Sequence, residues 1–286
     1  MKLLFTTLCL LPFIISHAQK IHPLEPVSGN YKELSMLSAS PAPGQEELDK
    51  ITYPKNAKTS GIQFVGRDPS YLSQKQVEQL KSAVKPPANS SEQTQAELDY
   101  LMDLKLNRTQ SQKTRALEIA PVGYWPPLEK GDAGYKIQDL YWEYEQITGK
   151  NINPEDYPHT TRLMEGINRD GRIIEFTLKY HFNRPRPYHL EDDLSPLATI
   201  STPSYPSGHT LWAYLQALTW AEIHPEMRLD FLEIALEVGV SREIMGIHYP
   251  SDEEAARQLA HQMLSIMMGN EEFVRDLEKA KAEWGL

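Results

Sequence analysis

Apolar residues along most of the chain after residue 90 recur every three or four positions, which is the period of a helix that buries one face. Such runs cover residues 92–106, 132–148, 160–182, 207–223 and 226–247. Alternation of apolar and polar residues, the pattern of a half-buried strand, is nearly absent. The pattern therefore predicts an all-α fold in which these helices form a bundle.

Residues that stop or start helices refine this prediction. Pro185 and Pro187 cannot continue the helix predicted over 160–182, so the arginine between them is expected on a rigid extended loop. Ser251 and Glu254 have the spacing of a capping box, which predicts a further helix there. Asp252 would then lie in the first turn, where the helix dipole favours a carboxylate.

The first 18 residues have the three parts of a secretory signal peptide. Lys2 supplies the positive start, residues 3–15 form an apolar core, and Ser16-His17-Ala18 is a small-x-small cleavage site. The apolar run is shorter than the ~20 residues that a spanning helix needs. We therefore predict cleavage after residue 18 and a periplasmic location. Cleavage would also remove Cys9, the only cysteine.

The remaining chain divides by composition. Residues 19–85 are poorly periodic and rich in Pro, Ser and Lys, which predicts a loosely structured N-terminal extension with a short helix at 73–83. Helical periodicity begins soon after residue 86. We accordingly place a second, helical domain at 86–286.

The balance of charge limits the choice of partner. The formal net charge is −10, with 29 basic and 39 acidic residues. An acidic surface disfavours nucleic acid and anionic membranes as partners. The oligomeric state stays open, with a homo-oligomer as one alternative.

Three short motifs concentrate the residues that can do chemistry. They are the stretch from Lys179 to Pro187, the tetrapeptide Pro206-Ser207-Gly208-His209, and Ser241-Arg242 followed by His248 and Asp252. A phosphoryl group spreads its negative charge over several oxygens, and guanidinium forks with an ammonium group bind it well. Lys179, Arg186 and Arg242 supply these groups. The motifs predict a site that holds a tetrahedral oxyanion.

The same motifs supply groups for transfer of that oxyanion. Ser207 is a good N-cap for the helix over 207–223, and Gly208 lets an anion approach the free backbone N–H groups of its first turn. Two histidines, His209 and His248, can divide nucleophilic attack and protonation of the leaving oxygen. Asp252 lies four residues after His248 and is placed to orient its imidazole.

The pattern Lys-x6-Arg-Pro, Pro-Ser-Gly-His and Ser-Arg-x5-His-x3-Asp resembles the phosphatidic acid phosphatase type 2 superfamily, which includes the vanadium haloperoxidases. The wider context, with Ser204-Tyr205 before the second motif and Glu237-Val238-Gly239 before the third, is similar to the bacterial class A non-specific acid phosphatases. The resemblance implies the helical bundle of that superfamily. It also implies a metal-independent hydrolase of small phosphate monoesters that uses no cofactor and forms a phosphohistidine, with transfer of the phosphate to an alcohol as a variant.

The resemblance also implies a role for each motif residue. The phosphate-binding residues would be Lys179, Arg186, Ser207, Gly208 and Arg242. The catalytic residues would be His248 as nucleophile, Asp252 as its orienting partner and His209 as general acid.

Three alternatives stay open at this point. A vanadium haloperoxidase would use the same pocket, because vanadate has the geometry of the phosphorane. A phospholipid or isoprenyl-diphosphate phosphatase is disfavoured, because no later segment has the length of a membrane helix. A phosphate-binding protein without catalysis would not need both histidines. The acidic run Glu191-Asp192-Asp193 is interpreted as a solvated loop, so no metal site is predicted.

Overall fold

The computed structural model describes residues 27–54, 61–122, 141 and 143–286, and every regular element in these residues is helical. The α-helices in chain order are α1 (Tyr31–Leu34), α2 (Glu46–Asp49), α3 (Gln74–Ala83), α4 (Glu92–Asn107), α5 (Gln110–Ile119), α6 (Tyr144–Thr148), α7 (Pro158–Phe182), α8 (Gly208–Ile223), α9 (Arg228–Ile244), α10 (Pro250–Met267) and α11 (Glu271–Glu283). Short 3₁₀ turns lie at Ile62–Phe64, Pro187–His189, Asp192–Leu194 and Pro225–Met227. The prediction of an all-α fold is confirmed.

Helix α8 is the central element of the bundle. Nearly all of its side chains are buried, including Leu211, Leu215 and Trp220, and it packs against α7, α9 and α10. A helix that is apolar on every side is stable only when other elements surround it. The N-terminus of α8, which carries the Gly208 and His209 of the second motif, is therefore held inside the protein rather than at its surface.

The end of α7 carries the first motif. The helix ends at Phe182, as predicted, and Asn183 adopts a left-handed conformation with φ of 50° just beyond it. The following segment is extended at Arg186, with φ of −71° and ψ of 157°. Both Arg184 and Arg186 are buried, so this loop passes through the interior of the domain.

Helix α9 is shorter than the sequence predicted. The expected run over 226–247 is a 3₁₀ turn followed by α9, which ends at Ile244. Gly246, with φ of 71°, takes the left-handed conformation that commonly follows a helix C-terminus. His248 consequently lies in the short connection between α9 and α10.

The start of α10 corrects one prediction and confirms another. Ser251 does not cap the helix, since α10 begins at Pro250, and Glu254 pairs instead with Arg257. Asp252 does lie in the first turn. Its Oδ2 accepts a hydrogen bond of 3.1 Å from the backbone N–H of Tyr249, so the carboxylate satisfies a donor that the helix leaves free.

The described part of the segment 19–85 is packed against the bundle, although the sequence predicted a loose extension. Phe64 stacks on Phe176 of α7 with ring centroids 5.8 Å apart. The buried carboxylate of Asp170 accepts the backbone N–H groups of Tyr71 and Leu72, each at 2.9 Å. The short helix is confirmed as α3, capped by Ser73.

Two predictions lie wholly or partly outside the described residues. The signal peptide at 1–18 is one, and most of the helix predicted over 132–148 is the other, of which α6 is the end. Among the residues that the structure describes, no helix combines the length and the apolar composition needed to cross a membrane.

Candidate active site

A cavity of about 440 Å³ opens where the end of α7, the start of α8 and the end of α9 meet. Its charged and imidazole-bearing lining residues are Arg172, Glu175, Lys179, Arg186, His209, Arg242 and His248. Apolar residues form much of the remaining wall, namely Ala120, Pro121, Val122, Phe176, Ala198, Ile200, Met245 and Ile247. Residues from three motifs, separated by up to 69 positions between Lys179 and His248, thus surround one space.

The imidazole of His248 is fixed at both ring nitrogens. Its Nδ1 lies 2.9 Å from Asp252 Oδ2 and its Nε2 lies 2.8 Å from Arg186 Nη1. A carboxylate only accepts and a guanidinium only donates, so Nδ1 carries the proton and Nε2 carries the lone pair. Burial and the positive charge of Arg186 lower the pKa of His248 well below its usual value, which favours this neutral form.

Asp252 is the anionic centre of the site. Besides Nδ1 of His248, its Oδ2 accepts a 2.5 Å hydrogen bond from Ser204 Oγ, and its Oδ1 accepts one of 2.7 Å from Arg184. Burial alone would raise the pKa of this carboxyl, but Arg184 and these hydrogen bonds hold it well below its usual range. Asp252 is therefore ionised and acceptor-only at every ordinary pH.

Arg186 lines the cavity, and its guanidinium donates hydrogen bonds to the surrounding protein. Its Nε donates to the Thr202 carbonyl at 2.9 Å, its Nη2 to the Thr202 hydroxyl at 3.0 Å, and its Nη1 to the Ile247 carbonyl at 2.8 Å. The remaining contact is the one to His248 Nε2. The guanidinium is thereby held against the lone pair that an incoming electrophile would have to reach.

Lys179 lines the cavity, but its ammonium group is turned to the loop before α8. It donates to the carbonyls of Pro203, Ser204 and Pro206 at 2.9, 3.0 and 2.7 Å. These three bonds use all three protons of an ammonium group. Burial and the neighbouring Arg186 lower the pKa of Lys179 to about 7. Lys179 therefore fixes the loop that leads into the second motif, in addition to adding positive charge.

The N-terminus of α8 faces the cavity through Gly208. The Ser207 hydroxyl caps the helix at the Thr210 N–H, and Ser207 does not itself line the cavity, so its contribution here is the cap. A β-carbon on Gly208 would lie 1.9 Å from Glu175 Oε1. Glu175 is paired with Arg172 at 2.6 Å. The absence of a side chain at Gly208 is thus what leaves room beside this ion pair.

His209 lies on the apolar side of the cavity. Its Nε2 is 3.2 Å from the carbonyl of Ala120, which can only accept, so Nε2 carries a proton. Burial, followed by the positive charges of Arg242 and Arg172, lowers the pKa of His209 well below its usual value. A bound anion would oppose these charges and favour protonation.

Arg242 completes the cationic wall from α9. Its Nε and Nη2 donate to the Ser241 hydroxyl at 3.0 and 2.9 Å, which orients the guanidinium. Burial lowers its pKa to about 10, so the group is still charged at neutral pH. The structure therefore brings Lys179, Arg186, Arg242, Gly208 and both histidines to one cavity, with Ser207 and Asp252 directly behind it.

Sequence reasoning missed the residues that hold this site in place. Arg184, Glu97 and the pair Arg172–Glu175 are buried, and each contacts a motif residue or lines the cavity. The repeated Arg-Pro at 184–187 and the i, i+3 spacing of Arg172 and Glu175 were visible signals. Glu97 has no comparable signal, because its charged partner Arg184 lies 87 positions along the chain.

Comparison with known proteins identifies the family of this chain. The PAP2 superfamily model matches residues 171–268. The chain is 32% identical over 171 residues to the non-specific acid phosphatase of Providencia stuartii, and the match covers 54% of this chain and 67% of that protein. This chain belongs to the PAP2 superfamily. The family predicted from the three motifs is confirmed.

Two further comparisons list proteins to which this chain is similar. It is 28% identical over 160 residues to the non-specific acid phosphatase of Salmonella typhimurium, covering 53% of this chain and 63% of that one. A bacterial vanadium-dependent iodoperoxidase structure matches with a TM-score of 0.47 and 17% identity, covering 65% of this chain and 51% of that one. The chain spans between 61% and 67% of the length of these acid phosphatases and of that of Zymomonas mobilis.

Proposed function

We propose that this protein is an acid phosphatase that hydrolyses small phosphate monoesters through a phosphohistidine at His248. The observation that carries the proposal is the state of His248. Its Nδ1–H is held by Asp252, so its Nε2 lone pair faces a cavity lined by Lys179, Arg186 and Arg242. A lone pair directed at a cationic pocket is the arrangement that attack on a bound phosphoryl group requires.

The first half-reaction follows from these positions. The phosphoryl group binds beside the arginines and the N–H groups at the start of α8. The Nη1–H of Arg186, which is hydrogen-bonded to Nε2 of His248 in the free site, then donates its hydrogen bond to a phosphate oxygen instead. The Nε2 lone pair of His248 then forms the P–N bond as the P–O bond to the alcohol breaks. The departing oxygen takes the proton from His209.

The second half-reaction reverses these roles. His209, now without that proton, accepts one from a water molecule that attacks phosphorus, and the P–N bond breaks to return His248 to its starting form. An alcohol in place of that water would yield a transferred phosphate ester. Asp252 stabilises the positive charge that develops on the imidazole during attack.

The proposal assigns charge compensation to protein groups. Arg186, Arg242 and Lys179 with the α8 N-terminus would do what divalent cations do in other phosphatases. Activity towards 4-nitrophenyl phosphate should therefore persist after exhaustive dialysis against EDTA, and orthovanadate should inhibit competitively. Loss of activity in EDTA that Mg²⁺ or Zn²⁺ restores would contradict this assignment.

The covalent intermediate gives the sharpest test. Acid-labile, base-stable phosphate should be trapped on His248 when turnover of labelled substrate is quenched in alkali, and His248→Asn should abolish trapping. His261→Asn is the matched control, because that histidine lies outside the cavity. Label on Ser207 or on no residue would overturn the mechanism. Bromide oxidation by peroxide in the presence of vanadate would indicate the haloperoxidase alternative.

Export to the periplasm is part of the same proposal. Its support is the positive start at Lys2, the apolar core at 3–15 and the small residues before Gln19. Edman sequencing of protein from a periplasmic extract should begin at Gln19. Active protein that retains Met1 in that fraction would rule the signal peptide out.

A further inference from the structure

The guanidinium of Arg184 lies directly behind the candidate catalytic pair, outside the cavity. Arg184 is 3% exposed. Its Nη1 donates to Asp252 Oδ1 at 2.7 Å and to the Ser251 hydroxyl at 2.8 Å. Its central carbon also lies 3.8 Å from the centre of the Tyr249 ring, which is a cation–π contact. Arg184 is therefore a buried cation that binds one oxygen of Asp252.

Glu97 occupies the opposite end of this cation. Its carboxylate is fully buried, and Oε2 lies 3.3 Å from Arg184 Nη2. Three further donors reach it, namely the Ser251 N–H at 3.1 Å, the Ser251 hydroxyl at 2.8 Å and the Gln93 amide at 3.2 Å. Burial raises the pKa of Glu97, whereas Arg184 and these hydrogen bonds oppose that rise. Four donors on the carboxylate favour its ionised, acceptor-only form. Glu97 lies on α4, outside the residues that the family model matches.

The two oxygens of Asp252 have separate tasks. Oδ2 accepts from His248, Ser204 and the Tyr249 N–H, whereas Arg184 is the partner that the described residues provide for Oδ1. A carboxylate is planar and rigid, so a fixed Oδ1 determines the direction in which Oδ2 points. The orientation of Asp252 towards His248 Nδ1 thus depends on where Arg184 is held.

We propose that Arg184 and Glu97 are positioning residues for the reaction, forming a buried chain Glu97–Arg184–Asp252–His248 that keeps Nε2 of His248 directed at the phosphoryl group. This inference rests on the proposed role of His248 as nucleophile. Glu97 anchors Arg184 and the first turn of α10 together, Arg184 anchors Asp252, and Asp252 selects the tautomer of His248. Glu97 of α4 thereby helps to position the residues of a motif that begins within α9.

Other charged and titratable groups also face these four residues and contribute to the pKa values of His248 and Asp252 in the wild type. They are Tyr31 from α1, Lys179 from α7, Arg186 and Tyr205 from the loops that follow, His209 from α8, Glu243 from α9, and Tyr249 and Glu253 at the start of α10. None of these groups changes in the variants below. A shift in pH dependence between variants therefore reports the charge that was removed.

The two positioning residues carry opposite charges, so their removal has opposite effects. Attack requires neutral His248 and ionised Asp252. Loss of the positive Arg184 raises the pKa of both groups, and the acidic limb of kcat/KM moves to higher pH. Loss of the negative Glu97 lowers both pKa values and moves that limb to lower pH. A residue that only stabilises the fold would reduce the active fraction without moving the limb.

The experiment compares Arg184→Met and Glu97→Gln with the wild type, using 4-nitrophenyl phosphate across the pH range. We expect kcat to fall about 10- to 100-fold for Arg184→Met with a much smaller change in KM, because misplacement by about 1 Å costs up to about 100-fold. We expect the acidic limb to move by about half a pH unit or more, upward for Arg184→Met and downward for Glu97→Gln. Arg184→Lys keeps the positive charge and loses the two-nitrogen guanidinium. This variant should have the acidic limb at its wild-type pH but only part of the wild-type kcat.

Arg257→Met is the matched control. Arg257 forms a similarly short, bidentate pair with Glu254 on the same helix, at 2.6 and 2.8 Å, without touching Asp252. This variant should keep the wild-type pH profile whatever it costs in stability. If Arg184→Met does not fold by circular dichroism, Glu97→Gln and Arg184→Lys still decide between the outcomes.

A second measurement does not depend on turnover. Long-range ¹H–¹⁵N spectra of ¹⁵N-histidine protein, with His248 assigned by comparison with His248→Asn, should show the Nδ1–H tautomer in the wild type and a tautomer mixture in Arg184→Met. Shifts of the acidic limb in one common direction, or an unchanged tautomer, would overturn the inference. An altered tautomer in a protein that traps no phosphate on His248 would instead refute the proposed function alone.

Discussion

The closest steric constraint in the site lies at Gly208, and Gly208→Ala tests it with a single methyl group. The added β-carbon would lie 1.9 Å from Glu175 Oε1 and 2.3 Å from Glu175 Cδ. Carbon and oxygen atoms that are not bonded rarely approach within about 3 Å, so the carboxylate would have to withdraw by about 1 Å. It cannot do so alone, because Arg172 holds it at 2.6 Å and both side chains are buried.

The expected magnitude follows from that displacement. Forcing an extra carbon into a packed site costs typically about 1–3 kcal/mol of folding free energy. Intrinsic helix propensity works in the opposite direction, since alanine is favoured over glycine by up to about 1 kcal/mol within a helix. A shift of about 1 Å in groups that line the cavity should lower kcat/KM by about 100-fold.

A double-mutant cycle assigns the effect to the collision. Urea unfolding and kcat/KM on 4-nitrophenyl phosphate are measured for Gly208→Ala, Glu175→Ala and the double variant, with Gly29→Ala as control. Gly29 has no atom within 4 Å of its added β-carbon, so that variant should match the wild type. In the background of Glu175→Ala, Gly208→Ala should no longer destabilise the protein. Additive losses in the double variant, or wild-type behaviour of Gly208→Ala, would refute the steric account.

Three further predictions concern protons. His209→Asn should slow hydrolysis of an alkyl phosphate such as glycerol phosphate by up to about 10²–10⁴, and that of 4-nitrophenyl phosphate far less, because a nitrophenolate leaves without a proton; equal losses would contradict the general-acid role. Asp252→Asn should reduce kcat by a factor of order 10⁴ while phosphate binding is largely kept, because the neutral amide no longer selects the Nδ1–H tautomer; a large rise in the Kd of inorganic phosphate with unchanged kcat would contradict this. Burial raises the pKa of Glu243 to about 8. Between about pH 4.5 and 8 the unfolded state therefore binds fewer protons than the folded state. The free energy of unfolding should fall as the pH rises through that window, by at most about 1.4 kcal/mol per pH unit. Glu243→Gln should flatten that dependence in urea titrations from pH 5 to 8.5, and an unchanged slope would assign the effect to other groups.

The local features of the site could be predicted because each depends on a few neighbouring residues. A serine before a glycine-started apolar run caps a helix, and Ser207 does so. Prolines on either side of Arg186 keep the backbone extended there. Asp252 follows His248 by four positions, a spacing that lets a loop residue meet the first turn of the next helix at 2.9 Å.

Misjudged features depended on partners that only folding supplies. Low periodicity in residues 19–85 predicted a loose extension, yet Phe64 packs on α7 and Asp170 binds the backbone after residue 70. A segment without helical periodicity can still be buried when other parts of the chain pack against it. For the same reason Ser251 was expected to cap α10, whereas its N–H and hydroxyl are both bound by Glu97, 154 positions away.

By itself, the sequence determined the helical class, the order of the motif residues and the chemistry that they can perform, because periodicity, caps and side-chain type are local properties. Only the tertiary structure decided how those residues are held. It placed Glu97 and Arg184 behind Asp252, turned the three N–H bonds of Lys179 to backbone carbonyls, and set Glu175 against Gly208. Each of these is a contact between distant parts of the chain, and its geometry exists only once the helices have packed.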